Sequence, residues 1–245
     1  MSIMVIYTAL AMIFLITPLR HLCFTRPILA LYRKKVPKLS ATERAAMAAG
    51  TVSWDGELFS GAPSTEVLFN YPQSVLSEEE RAFLDGPVEE LCRRLDNWSI
   101  QFKDSDMPAS VWQFIKDQGF LGLIIPKEYG GKAFSAYGHS RVITKLSSVS
   151  PVAAVSVCVP NSLGPAELLL HYGTLEQKNY YLPRLAAGLE IPCFALTSPV
   201  AGSDATGIID SGIVCEQIIE GQKVLGMRLN WSKRYITLAP IATII

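Results

Sequence analysis

The sequence predicts an α+β protein with an N-terminal membrane helix, an all-helical domain, and the first part of an antiparallel, β-barrel-like domain that is truncated. Three observations predict it. Residues 1–19 (MSIMVIYTALAMIFLITPL) carry no charged side chain. From Leu76 to Gly188 apolar residues recur at helical spacing behind two capping boxes, and after Ile191 the pattern changes to short β-rich runs separated by turn residues. The 245 residues suffice for one to two domains with a real core. At 49% hydrophobic residues and a mean hydropathy of +0.26, the chain is too apolar for disorder and slightly too apolar for an ordinary soluble domain. Lys plus Arg (22) balances Asp plus Glu (22), which argues against a nucleic-acid partner.

A straight helix over residues 1–19 would span roughly 28 Å, about one hydrocarbon core. Arg20, Arg26, Arg33, Lys34, Lys35 and Lys38 follow before the first acid, Glu43. The positive-inside rule then places the rest of the chain in the cytoplasm. Residues 1–35 therefore read as a membrane anchor with a basic flank. A cleaved signal peptide is disfavoured because no basic segment precedes the apolar run and no A-x-A site follows it. A monotopic or buried helix is the other alternative, which Pro18 and the second apolar patch, Pro27 to Tyr32, would suit. Cys23, Cys92, Cys158, Cys193 and Cys215 form an odd set without CxxC spacing, and His21, His139 and His171 are scattered, so neither a disulfide framework nor a metal site is indicated.

Residues 36–75 read as an extension lying against a domain, with Trp54 and Phe59 as its apolar anchors. Residues 76–190 form the helical domain. Ser77 and Glu80 make a capping box, after which Leu84, Val88, Leu91 and Leu95 recur at helical spacing, with a break or kink expected at Gly86-Pro87. Pro108 suits a first helical position and Gly119 the stop, giving a helix of about eleven residues. Tyr137 to Val159 reads as a helix pair joined near Ser150-Pro151. A helix over 162–172 closes at Gly173, and Thr174 with Gln177 opens another that runs to Gly188. Residues 191–245 begin a β domain, with strands expected over 192–197, 213–219, 223–229 and 235–245 and a turn at Glu220-Gly221-Gln222. The sheet's last edge would be unpaired.

The densest polar, small-residue stretch beside an apolar strand is Thr197 to Ala205. Gly202 lets backbone N–H groups approach a ligand closely, and the Thr197 and Ser203 hydroxyls can donate to phosphate or carbonyl oxygens. A turn rich in Pro and Gly is usually only a turn.

The whole string Cys193 to Ala205 (CFALTSPVAGSDA), however, resembles the first signature of the acyl-coenzyme A dehydrogenases, a flavoprotein family. Gly119-Phe120-Leu121-Gly122-Leu123 leading to Tyr129-Gly130-Gly131 looks like that family's early loop. Tyr172-Gly173-Thr174, Gln177-Lys178 and Tyr181-Leu182-Pro183 look like its approach to the sheet. Lys233-Arg234-Tyr235-Ile236-Thr237 looks like its second flavin motif, usually written with Trp where Tyr235 stands. The N-terminal apolar anchor and Ser198, where Glu is commoner, are most similar to the long, membrane-associated bacterial type of fatty acid β-oxidation.

The resemblance implies FAD as cofactor and removal of a proton and a hydride from an acyl-CoA, giving a trans-2-enoyl thioester. Backbone groups around Phe194, Leu196 and Thr197 would meet the flavin's pyrimidine side. Ser203 would lie near the pyrophosphate and contact the acyl-CoA. Tyr235 would pack on the isoalloxazine, and Ile236 and Thr237 would complete the contact near N5. The alternative for Tyr235 is a half-buried strand aromatic. The general-base Glu is expected in a C-terminal helical domain that this chain lacks, so no catalytic residue is assigned, and Glu128, Glu167, Glu176 and Glu190 read as solvated or capping charges. The resemblance further implies an electron-transfer flavoprotein as acceptor and a homo-oligomer. With the anchor, it implies a bacterial inner-membrane location with the catalytic part on the cytoplasmic side. A chain without the base is expected to be inactive alone. The second hypothesis is a membrane-tethered, non-catalytic interaction protein.

Overall fold

Proline sets the course of the first segment. In the computed structural model, which describes residues 2–36, 38–39, 41–50, 53–162 and 164–245, α1 (Ser2–Leu15) ends after 14 residues. That is about 21 Å of helix, short of the roughly 30 Å of a hydrocarbon core. Ile16 is extended (φ −84°, ψ 107°), and α2 (Thr17–Arg20) restarts with Pro18 in its first turn. A π-turn at His21–Thr25 leads into α3 (Arg26–Arg33). The arms Ile3–Leu15 and Thr17–Arg33 meet at 86°. Pro18 has no N–H for the Phe14 carbonyl, and in a straight helix its ring would collide with that carbonyl. The single straight helix expected over residues 1–19 is thus corrected to an elbow, across which the Phe14 and Phe24 rings stack at 4.9 Å.

The chain divides into two units, Met1–Pro72 and Gln73–Ile245. The first continues with α4 (Ala41–Ala49), a 3-10 turn (Trp54–Ser60) and α5 (Thr65–Phe69). Pro37, Ser40, Thr51 and Val52 of the expected extension lie outside the described residues. Trp54 donates its indole N–H to the Ser64 carbonyl at 2.6 Å. Phe59 is 92% exposed and anchors nothing within the described residues, contrary to expectation.

The second unit opens with α6 (Glu78–Phe83) and α7 (Glu89–Arg94), joined by a π-turn at Leu84–Val88. The wider turn accommodates Pro87, so the helix continues where a break or kink was expected. There follow α8 (Asn97–Ser99), α9 (Ala109–Asp117), α10 (Ala136–Ser147), α11 (Pro151–Ser162), α12 (Pro165–Tyr172) and α13 (Leu175–Ala186). Pro108 is the extended N-cap of α9 rather than its first helical residue (φ −55°, ψ 146°), which shortens that helix to nine residues. Leu163, in the helix expected over 162–172, lies outside the described residues. Over Pro151–Tyr172 the chain is long and apolar enough for a membrane span, but about half of that stretch is buried inside the protein. Its buried residues, among them Ala153, Ala154 and Val157, pack into the main core with Val88 and Leu91 of the first helices, Ile115 of α9, and Val142 and Leu146 of α10. Phe120 sits at the centre of the aromatic packing, 4.8 Å from the Phe83 ring.

Two buried polar side chains tie distant segments together. Both halves of the Ser77–Glu80 capping box are present. Glu80, only 4% exposed, also accepts from the Ser135 N–H at 2.7 Å and the Ser135 hydroxyl at 2.6 Å, joining the start of α6 to the start of α10. Asn161 donates to the carbonyls of Phe120 (2.7 Å) and Val157 (2.8 Å) and accepts from Ile124 N–H (3.3 Å). The Thr174–Gln177 box opens α13 as expected.

The sheet has two antiparallel strands, β1 (Ser211–Ile219) and β2 (Gln222–Asn230), in a register running from Ser211↔Asn230 to Ile219↔Gln222. The turn is Glu220-Gly221, both at positive φ (50° and 79°), as a type I′ hairpin requires. The strands expected over 192–197 and 235–245 do not form; one parallel bridge, Pro192↔Ile244, links those segments. Pro192 and Pro199 cannot donate, Leu196 turns its N–H back to Phe194, and Tyr235 and Leu238 take positive φ (60° and 66°), which an extended strand excludes.

Candidate functional site

The helical layer ends in a clasp that holds the following loops. Arg184 of α13 binds the Glu190 carboxylate through two nitrogens at 2.8 and 3.0 Å. Hydrogen bonds from the Thr243 hydroxyl and then from Arg184 hold that carboxyl below its usual range. Glu190 is therefore the ion-pair partner of Arg184 rather than the solvated or capping charge expected of it. Beside it, Ile191 donates to the Thr243 hydroxyl at 2.8 Å, Thr243 N–H returns to the Ile191 carbonyl at 2.8 Å, and Cys193 N–H reaches the Ile244 carbonyl at 2.9 Å.

From that clasp the segments 193–203 and 231–237 lie side by side. Arg234 donates its N–H to the Thr197 carbonyl at 3.0 Å and its guanidinium to the Pro199 carbonyl at 2.9 Å. Lys233 bonds the Leu196 carbonyl at 3.0 Å and pairs with Asp210, giving the otherwise enclosed Asp210 carboxylate its partner. Ser198 is buried and closes a tight turn, accepting from Ala201 N–H at 3.0 Å while its own N–H goes to the Ala201 carbonyl at 2.9 Å. A cleft of about 270 Å³ beside this turn is lined by Pro199, Val200, Ile209, Asp210 and Trp231. It is smaller than the roughly 300–1,000 Å³ typical of enclosed ligand sites.

Leu196 and Thr197 are thus brought against Lys233 and Arg234, immediately before Tyr235. Phe194, Leu196, Ser203, Tyr235 and Thr237 are exposed; Thr197 and Ile236 are half-buried. Tyr235 is 83% exposed in the left-handed region, with the Arg234 guanidinium 5.3 Å from its ring. It is not a half-buried strand aromatic. A non-glycine residue held at positive φ is a local strain that surrounding bonds must impose, and the Lys233 and Arg234 bonds supply them. Exposed aromatic and aliphatic surface with hydroxyls on neighbouring loops suits a flat ring system that needs an apolar face and edge hydrogen bonds. Burial pushes the Cys193 thiol up, which disfavours its thiolate form.

Sequence reasoning missed Asp210, Arg184 and Thr243, which lie far apart in the chain and carry no motif; only the folded contacts reveal them.

The family described as "Acyl-CoA dehydrogenase, N-terminal domain" matches residues 73–189. The human mitochondrial very long-chain specific acyl-CoA dehydrogenase is 32% identical over 192 residues, covering 77% of this chain and 28% of its own length. The chain thus spans little more than a quarter of that relative. The acyl-CoA dehydrogenase from Geobacillus kaustophilus superposes with a TM-score of 0.59 at 24% identity, over 71% of this chain and 44% of that one. A structure described as an FAD complex of PigA superposes with a TM-score of 0.55 at 26% identity, over 70% and 43% of the two chains.

Proposed function

Since residues 73–189 belong to the acyl-CoA dehydrogenase N-terminal domain family, we propose that the chain serves FAD-dependent α,β-dehydrogenation of an acyl-CoA thioester to the trans-2-enoyl-CoA. The observation that carries this reading is the 32% identity to the very long-chain enzyme over 77% of the chain. A long-chain acyl-CoA is the favoured substrate class on the same ground.

Bound FAD supplies the hydride acceptor. The residues of this chain would hold and shield it: Phe194, Leu196 and Thr197 at its pyrimidine side, Tyr235 packed on the ring, and Ile236 and Thr237 near its reactive nitrogen. Ser203 would serve both the pyrophosphate and the acyl-CoA. Lys233, Arg234 and Asp210 are positioning residues that fix the two loops in register. No Glu of this chain is given the α-proton; that carboxylate is expected from a further helical domain of the family. Electrons would pass to an electron-transfer flavoprotein. The apolar elbow and its basic flank favour a bacterial inner-membrane location with residues 73–245 in the cytoplasm.

Titration of the detergent-solubilised chain with FAD, read by quenching of flavin fluorescence, tests the loop assignment. The wild type quenches, and Tyr235→Ala weakens binding about tenfold, the loss of one aromatic contact of about 1.4 kcal/mol. Quenching that is unaffected by Tyr235→Ala and Thr237→Val would remove these loops from the cofactor site.

A further inference from the structure

The membrane reading leaves open how the N-terminal segment meets a bilayer, and the elbow answers it. At about 100° per residue, Arg26 and Arg33 share one side of α3, while Ile28, Leu31 and Tyr32 occupy the opposite side. All three apolar residues are exposed. Arg20, Lys34, Lys35 and Lys38 add positive charge before the first acid at Glu43, so the second arm is cationic along its polar side and at its exit. α1 has no polar stripe: Ile3, Val5, Tyr7, Leu10, Phe14 and Leu15 are exposed on several sides of it. An all-apolar arm and an amphipathic cationic arm set at 86°, with Phe14 stacked on Phe24 at the corner, have different preferred surroundings.

We infer that residues 2–36 form a monotopic anchor for a bilayer surface bearing anionic phosphate headgroups. The inference rests on the proposed membrane location. The arm Thr17–Arg33 lies in the headgroup plane with Ile28, Leu31 and Tyr32 turned towards the acyl chains and Arg26 and Arg33 towards phosphate. α1 descends from it into the hydrocarbon. Its length of about 21 Å does not reach through a core of roughly 30 Å, so α1 enters the hydrocarbon without spanning it. Without Pro18 a continuous helix over residues 2–33 would be roughly 48 Å long and would cross.

The full chain is reconstituted with sealed vesicles of phosphatidylcholine, with and without phosphatidylglycerol. Flotation is expected with both and stronger on the anionic vesicles. Arg26→Gln combined with Arg33→Gln lowers the anionic partition constant roughly 30-fold, as for two headgroup contacts, and leaves the neutral one unchanged. An Ile3→Cys variant, scored as one extra thiol by a maleimide gel shift, is expected to react with reagent sealed in the lumen only after detergent is added. Adding Pro18→Ala makes it reactive from the lumen. No flotation on either vesicle would overturn the membrane reading itself. Flotation with lumenal labelling of Ile3→Cys would overturn only the monotopic arrangement, and equal binding to both vesicles would overturn the headgroup role of Arg26 and Arg33.

Discussion

Replacing Glu80 by alanine removes three hydrogen bonds at once: those from Ser77 N–H (2.8 Å), Ser135 N–H (2.7 Å) and the Ser135 hydroxyl (2.6 Å). A bond to a charged group contributes about 1.5–3 kcal/mol and a helix cap about 1 kcal/mol. Because Glu80 is buried, bulk screening does not reduce these terms much, but they share one carboxylate and do not simply add. A total cost of about 4 kcal/mol follows. For a unit of this size each kcal/mol lowers Tm by about 2–4 °C, so a drop of roughly 8–16 °C is expected in thermal unfolding followed by circular dichroism. Ser77→Ala, which loses the cap but keeps the Ser135 bridge, should cost about 1 kcal/mol. If the two variants melt together, the bridge between α6 and α10 contributes nothing and the reasoning fails. The pH dependence provides a second check. Burial pushes the Glu80 carboxyl up, but the bonds from Ser135 and Ser77 together outweigh it, and the net shift is downward. The stabilisation is therefore complete above the unfolded value of about 4.3 and is lost as pH falls through the lower folded value. Glu80→Gln should flatten the Tm profile in that acid range, and an unchanged profile would contradict the assignment.

Asn161→Leu should cost about 2–4 kcal/mol in chemical denaturation, because the Phe120 carbonyl and Ile124 N–H are left without their partner; a neutral outcome would show that water replaces the amide. Gly131→Ala places a Cβ against the Ile125 carbonyl, where backbone must move, and should lower Tm by more than 5 °C, at about 2–4 °C per kcal/mol for an overpacked site. Tyr235→Gly should relieve about 1 kcal/mol of left-handed strain while weakening flavin binding about tenfold, as the alanine variant does. A variant that is both less stable and binds flavin as tightly as the wild type would reverse both roles of Tyr235.

The helical layer was legible because its cues are local: Ser77 with Glu80 and Thr174 with Gln177 are capping pairs three residues apart, and both boxes form. What Glu80 does at Ser135 was not legible, since the two are 55 positions apart and the capping role already accounted for the carboxylate. The hairpin followed from Glu220-Gly221, a pair whose left-handed conformations favour the tight turn. Residues 235–245 misled because an apolar, β-branched run reads as a strand, whereas Tyr235 and Leu238 are held at positive φ and Pro240 lacks a donor. At the candidate site the turn at 197–205 could be found by composition. The bonds that hold it, from Lys233 and Arg234, join residues more than thirty positions apart.

The pairing of Ile191 with Thr243 closes a loop of 52 positions, and closing such a loop costs entropy that grows only slowly with its length. Everything between those residues, the candidate loops and the hairpin alike, is gathered by that short junction, by the Arg184–Glu190 pair beside it and by Leu238 and Ile241, which pack against the main core. Losing the junction would release the whole stretch as one cooperative opening while the helical layer stayed folded. Amide hydrogens from Cys193 to Ala242 should then exchange at a shared low protection level, and those of α10 and α11 at a far higher one. The stretch proposed to meet a ligand would be the one that opens first, so ligand occupancy would register as protection across the entire loop rather than at the contacting residues alone.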